Sequence, residues 1–131
     1  MEAGFLTALK LEELQQDRWK LLGPLVYAGV LLPGVVTVPA GFETDLESVP
    51  RWLPLVYGEL YGTAHAAAVL HDYLYTTGSV DRRTADAVLY EAMRATGQPQ
   101  WKSFVMWVGV RLGGWIAWTA HRAADAGRRA S

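Results

Sequence analysis

The spacing of apolar residues divides the chain into a first part that favours strands and a second part that favours helices. Residues 19–22, 25–32 and 35–38 are β-prone runs that contain β-branched or aromatic residues, which are typical of strands. Gly-Pro and Pro-Gly pairs separate these runs, and such pairs mark turns. Residues 5–14 fit neither period cleanly, so both a strand and a short helix stay open there.

Beyond residue 62 the apolar residues recur every three or four positions, as they do on one face of a helix. The pattern predicts a helix from about residue 63 that Gly78 ends, and a second helix over residues 82–96 with Asp81 as its N-cap. A third helix is predicted over about residues 100–120. It is apolar nearly all round, so we expect it to pass through the middle of the core.

This order of elements predicts an α+β fold, with a small antiparallel sheet in the N-terminal third packed against three to four helices. A short helix over residues 50–56 would be the fourth. No internal repeat or linker divides the chain, so we expect a single domain over residues 1–131. Its predicted parts are a β-rich part (residues 1–42), a loop with a sequence motif (residues 43–51), a helical part (residues 52–121) and a frayed tail (residues 122–131).

Composition narrows the classes of function. The chain has 131 residues, of which 51% are apolar and 19% charged, which is typical of a globular protein. The net charge of −1 gives no broad basic surface, so we expect no nucleic-acid partner. The absence of cysteine excludes disulfides, cysteine-zinc sites and thiol nucleophiles. The N-terminal residues include acidic side chains and lack the pattern of a signal peptide, so secretion by that route is not expected.

One apolar run raises the question of a membrane span. Residues 104–120 are apolar except for Arg111 at their centre, and an arginine there costs about 2.5–3.5 kcal/mol on insertion into a membrane. We therefore expect no membrane span, and we expect Arg111 to reach a carboxylate or a carbonyl. Four tryptophans lie on or near this run and are expected in the core, although an exposed part would indicate a protein interface. They are Trp101, Trp107, Trp115 and Trp118.

Seven polar residues are candidates for a functional site. They are Thr44, Asp45, Ser48, Arg51, His71, Asp72 and Asp86. Asp45 and Ser48 lie in a loop that leads into a helix, which is a common place for functional groups. Asp45, His71 and Asp86 together offer nitrogen and oxygen ligands that suit one divalent metal ion such as Zn²⁺, Mn²⁺ or Mg²⁺. Such an ion would activate a water molecule for hydrolysis.

The same residues also suit a purely structural network, and the sequence leaves both interpretations open. Asp45 would then accept backbone hydrogen bonds at a turn, and His71 would be oriented by Asp45 or Asp86. The partner of Asp86 would be Arg51, Arg82, Arg83 or Arg111, and its loss in Asp86→Ala would cost about 1–3 kcal/mol. We also expect the Asp45 and His71 side chains to lie within direct or one-water hydrogen-bond reach, because two strong motifs on neighbouring elements usually meet around a shared polar network. Because His71 and Asp72 are adjacent on a helix, their side chains point about 100° apart, which hinders joint chelation.

Four blocks of the sequence carry a resemblance to a known family. They are VPAGFETDLESVPR at residues 38–51, AAVLHDYLY at residues 67–75, Arg82 or Arg83 followed by Ala85-Asp86, and Arg111 with Gly113-Gly114. Together they resemble the signatures of a phage and prophage family catalogued as domain of unknown function 1353. Glu47 is a departure, because the family usually has a small residue there.

The resemblance implies a phage setting, often near tail and lysis functions, and brings no established activity. We therefore expect a tail-associated virion component with a structural or assembly role, with other phage proteins as its partners. Its expected location is the host cytoplasm, the virion, or both. The alternative is a small metal-dependent hydrolase that acts on cell-wall or phosphoester substrates through Asp45, His71, Asp72 and Asp86.

Overall fold

The computed structural model describes residues 3–15, 18–44 and 63–130. The candidate residues Asp45, Ser48 and Arg51 lie outside the described residues, as does the predicted short helix at residues 50–56. The predicted proximity of Asp45 to His71 therefore stays a prediction. Within the described ranges, six short strands precede three helices, so the α+β class is confirmed.

The described strands form two three-stranded antiparallel sheets, whereas the sequence predicted one small sheet. Their bounds are Gly4–Phe5 (β1), Leu11–Glu13 (β2), Trp19–Leu21 (β3), Leu25–Ala28 (β4), Val35–Val38 (β5) and Glu43–Thr44 (β6). The sheet orders are β1-β4-β5 and β2-β3-β6. The chain passes from one sheet to the other between Leu21 and Leu25, where Pro24 has no N–H to donate to a continued ladder.

The ambiguous residues 5–14 contribute a strand to each sheet. In β1, Gly4 pairs with Ala28 of β4, and in β2, Leu11 pairs with Leu21 of β3. Both strands are only two or three residues long, so their own periodicity carries little information. The partner strands decide their conformation by offering backbone hydrogen bonds.

Three helices follow the described strands, and their bounds are Thr63–Thr77 (α1), Arg82–Ala95 (α2) and Gln100–Ala130 (α3). Gly78 follows α1 with a φ of +61°, a conformation that favours glycine. The Asp81 side chain accepts a 2.8 Å hydrogen bond from the backbone N–H of Thr84, as an N-cap does. The predicted bounds of α1 and α2 are therefore confirmed to within about a residue.

The prediction for α3 is wrong in two respects. The helix continues to Ala130 instead of ending near residue 120, and it occupies most of the predicted frayed tail. The segment after residue 120 contains no proline and several alanines and arginines, which favour continuation of a helix. Also, α3 lies at the edge of the helical layer and not in the middle of the core, since Trp101 and Trp115 are 57% and 56% exposed.

The core lies between the sheets and the inner faces of the helices. Helix α1 contributes a continuous buried run from Ala66 to His71 and contacts β4, α2 and α3. The strands contribute Leu21, Leu25, Tyr27 and Val38, and α3 contributes Met106 and Val110. Within the described ranges, none of the helices combines the length and the hydropathy that a membrane crossing requires.

Candidate functional site

The candidate site centres on Asp86, a carboxylate with no exposed surface. It lies on the buried face of α2 beside Ala85, Val88 and Leu89, which pack in the apolar core. Burial of a charged carboxylate costs several kcal/mol unless charged or hydrogen-bonding partners surround it. The surroundings of Asp86 therefore decide whether this position is tolerated.

Four side chains from three helices surround the Asp86 carboxylate. Its Oδ1 atom lies 2.7 Å from His71 Nε2 and 2.6 Å from the Tyr75 hydroxyl, both on α1. Its Oδ2 atom lies 2.8 Å from Arg111 Nη1 on α3 and 3.5 Å from Arg82 Nη1, one turn earlier on α2. We call these five residues the Asp86 network. A single carboxylate thus ties α1, α2 and α3 together.

The spacing of His71 and Tyr75 explains why both reach the same oxygen. Residues four apart lie on one face of a helix, and here the two rings are 4.2 Å apart between centroids. Tyr75 also meets the Trp118 ring of α3 edge to face, at 5.3 Å. The block at residues 67–75 is therefore a helix face that presents two hydrogen-bond donors to α2.

Gly114 explains part of the C-terminal block. A Cβ atom at this position would clash with the Tyr75 hydroxyl, so a side chain here would displace Tyr75 from Asp86. A Cβ atom at the neighbouring Gly113 would meet nothing within 4 Å. The two glycines are adjacent in sequence, but only Gly114 makes room for the Asp86 network.

The protonation of the network follows from its geometry. Burial acts most strongly on Asp86 and raises its pKa, but hydrogen bonds from His71, Tyr75 and Arg111 outweigh it, so the pKa is lowered from its ordinary 3.8. Burial also raises the pKa of Tyr75, and its hydrogen bond to Asp86 adds to this effect. Asp86 is therefore an ionised acceptor, and Tyr75 is a protonated donor that points at it.

The two arginines of the network reach it from the protein edge. Arg82 also donates a 3.1 Å hydrogen bond to the carbonyl of Val110, which holds α2 against α3. Arg111 keeps 27% of its side chain exposed while its Nη1 reaches the carboxylate, so the prediction that it finds such a partner is confirmed. Of the four arginines proposed as partners of Asp86, Arg51 lies outside the described residues.

Two further candidates among the described residues, Thr44 and Asp72, are not among the five residues of the Asp86 network. Thr44 is buried at the end of β6, where it pairs with Trp19 of β3. Asp72 is half-buried and, as the residue after His71 on α1, points about 100° away from it. The structure therefore brings His71 and Asp86 together among the described candidates.

The metal-binding set stays a prediction, because Asp45 lies outside the described residues. Within residues 3–15, 18–44 and 63–130, no group of three or more histidine or acidic side chains is arranged to hold a metal ion. His71 Nε2 and Asp86 Oδ1 already engage each other at 2.7 Å. An ion bound by both atoms would have to replace this hydrogen bond.

Sequence reasoning missed Tyr75 as a member of the site. The signal was present, because Tyr75 follows His71 by four residues and therefore shares its helix face. The sequence does indicate Arg82 and Arg111 as partners of Asp86, and both lie beside its carboxylate in the structure.

Comparison with known proteins gives a family and no activity. The family model described as "Protein of unknown function (DUF1353)" matches residues 19–110, which is well over half of the chain. No curated protein and no solved structure matches. The matched range includes α1, α2 and the first part of α3, and with them His71, Tyr75 and Asp86. The chain belongs to the DUF1353 family of proteins of unknown function.

Proposed function

We propose that this chain is a structural or assembly component of a phage or prophage particle, associated with the tail, and that it has no catalytic activity. The phage setting rests on the resemblance of the four sequence blocks described above. The absence of catalysis rests on one observation, the full engagement of Asp86 by donors from three helices.

The burial of the Asp86 network supports a structural role. A catalytic His–Asp pair needs one histidine nitrogen directed at a substrate, and the ring must be reachable. The His71 side chain is 1% exposed and the Asp86 side chain has no exposed surface. Tyr75 and Arg111 occupy further positions around the carboxylate. This arrangement suits a network that fixes the packing of three helices.

The exposed face of α3 supports a role in binding another protein. Trp101, Phe104, Leu112, Trp115 and Ile116 are each between 54% and 75% exposed. Large apolar side chains that stay exposed in one group mark interaction surfaces, and tryptophan is enriched there. A component that assembles with other proteins needs such a surface, whereas a monomeric enzyme does not.

The test is the fate of the chain during particle assembly. A tagged copy would be expressed in a host that carries the corresponding prophage, and particles would be purified after induction. We expect the chain in particles or in assembly intermediates, and we expect Leu112→Glu to reduce its incorporation. Leu6→Glu is the matched control, because Leu6 is also exposed, at 64%, but lies outside α3.

A hydrolysis assay supplies the result that would overturn the proposal. The purified chain would be incubated with cell-wall material and with phosphoesters, each in the presence of Zn²⁺, Mn²⁺ or Mg²⁺. The proposal predicts no turnover. Metal-dependent turnover that disappears in a folded His71→Ala variant would establish the hydrolase alternative instead.

A further inference from the structure

The exposed face of α3 is a continuous stripe that carries no charged residue. We call it the α3 stripe. Its members recur every three or four positions, except for two adjacent residues at its centre, so they lie on one side of the helix. They are Trp101, Phe104, Val108, Leu112, Trp115, Ile116, Thr119, Ala123 and Gly127. The first six are bulky and the last three are small. The stripe is therefore graded in size from one end of the helix to the other.

The exposed area of the stripe is large for a chain of this size. Its five bulky exposed residues are Trp101, Phe104, Leu112, Trp115 and Ile116, with exposed fractions of 57%, 54%, 75%, 56% and 62%. With roughly 150–250 Å² of surface per large side chain, these fractions correspond to about 600 Å². This is at the upper end of the largest apolar patch on a typical monomer, about 300–600 Å².

We infer that the α3 stripe binds a second copy of this chain, with the two α3 helices antiparallel about a two-fold axis between residues 115 and 116. The inference rests on the assembly role proposed above and names the partner. In a two-fold interface the same surface faces itself, so the stripe must be complementary to its own reverse.

The size gradient satisfies this requirement. With the axis between residues 115 and 116, bulky positions of one helix face small positions of the other, and these pairs are Phe104 with Gly127, Val108 with Ala123, and Leu112 with Thr119. At the axis itself, Trp115 of each copy faces Ile116 of the other. Small residues opposite large ones let two helices approach closely. A Cβ atom at Gly127 would meet nothing within 4 Å in its own chain, so there is open space beside Gly127 for Phe104 of the second copy.

The exposed area of the α3 stripe and the unpacked end of α3 also favour a second copy as the partner. Two copies would bury up to about 1,200 Å² if these five side chains became fully covered, and a specific interface needs about 1,000 Å². Beyond Arg122, which bonds the end of α1, residues 123–129 are exposed except for half-buried Asp125. A helix end without packing is marginal in water, and the bulky half of a second α3 would supply that packing.

The oligomeric state of the full chain tests the inference. Light scattering coupled to gel filtration, and sedimentation equilibrium, should show a dimer at about 100 μM. Leu112→Glu places a charge in each half of the interface and should raise the dissociation constant at least about 100-fold. Leu6→Glu should leave the dimer unchanged. A wild-type chain that is monomeric at that concentration overturns the inference, as does a Leu112→Glu variant that dimerises like the wild type.

Cysteine cross-linking tests the register, because the chain has no cysteine of its own. Leu112 and Thr119 are two turns apart on one helix, about 10 Å, which is too far for a disulfide within one chain. The double variant Leu112→Cys/Thr119→Cys should therefore form a covalent dimer under oxidation, and Leu112→Cys alone should not. Efficient cross-linking by Leu112→Cys alone overturns the antiparallel register.

The two proposals fail separately. A monomeric chain that still enters particles overturns the dimer and leaves the assembly role standing. A dimeric chain with the expected cross-links that never enters particles supports the dimer and overturns the assembly role.

Discussion

Removal of the Asp86 carboxylate should cost far more stability than an ordinary ion pair. In Asp86→Ala the donors at 2.6, 2.7 and 2.8 Å lose their acceptor. His71 and Tyr75 are buried, and an unsatisfied buried donor costs about 1–3 kcal/mol. Arg111 is 27% exposed and regains water in part, so it adds less. We expect the free energy of unfolding to fall by about 3–5 kcal/mol.

From the sequence, with one arginine as the partner, the predicted cost of Asp86→Ala is about 1–3 kcal/mol. The value from the structure is larger because several donors surround a fully buried acceptor. The assay is urea denaturation near neutral pH, followed by circular dichroism, with the unfolding free energy and the denaturant slope fitted separately. An unchanged slope would show that the variant loses stability without a change in the surface exposed on unfolding.

Asp125→Ala is the matched control. Asp125 also pairs with two arginines, Arg122 and Arg128, but it lies near the end of α3 with 24% of its side chain exposed. Its loss should cost at most about 1 kcal/mol, as is usual for ion pairs in contact with solvent. An Asp86→Ala variant no less stable than Asp125→Ala would refute the reasoning, because the carboxylate would then not hold the helices together.

Three further predictions concern the Asp86 network and one tyrosine outside it, Tyr27, whose hydroxyl donates to Glu91. Gly114→Ala should lower the unfolding free energy by about 1–3 kcal/mol, because the new methyl group clashes with the Tyr75 hydroxyl. Gly113→Ala should raise the unfolding free energy by up to about 1 kcal/mol, because its methyl group meets nothing and alanine favours a helix. If urea denaturation gave the same change for both variants, the packing described around Gly114 would be wrong. The pKa of Asp86 in the folded chain is lowered, so the stability that the ionised carboxylate contributes is complete above pH 3.8 and is lost as pH falls through the lower folded value. Acidification should therefore lower the unfolding free energy of the wild type more than that of Asp86→Asn. Equal losses of unfolding free energy in the two proteins would contradict this. The pKa values of Tyr27 and Tyr75 are raised above 10.0, so the stability that the two protonated hydroxyls contribute is present below pH 10.0 and is lost as pH rises further. Ultraviolet titration should show two tyrosines that ionise only when the chain unfolds. Ionisation of all tyrosines in the folded chain would count against this prediction.

The sequence predicted the features that depend on local chemistry. The N-cap at Asp81 and the glycine that follows α1 act within a few residues, so their signals are readable without knowledge of the fold. The pairing of Asp86 with Arg111 was predictable in kind, because a buried carboxylate requires a positive partner and few arginines lie in the helical part.

The sequence could not predict features that depend on how many elements are available to cover a surface. The apolar pattern of α3 indicated burial on all sides, but α1 and α2 cover one side and leave Trp101 and Trp115 exposed. The division into two sheets depends on strand partners far apart in sequence, such as Gly4 with Ala28. Periodicity within two or three residues cannot specify such partners.

The most direct test of the central claim, that the Asp86 network is structural, is the melting temperature in the presence of metal ions. A ligand that binds only the folded chain at a hundredfold excess over its dissociation constant adds about 2.7 kcal/mol, or about 10 °C for a chain of this size. We predict that Zn²⁺, Mn²⁺ and Mg²⁺ leave the melting temperature of the wild type unchanged. A rise of this size that is absent from both His71→Ala and Asp86→Asn would contradict the account and identify a metal site.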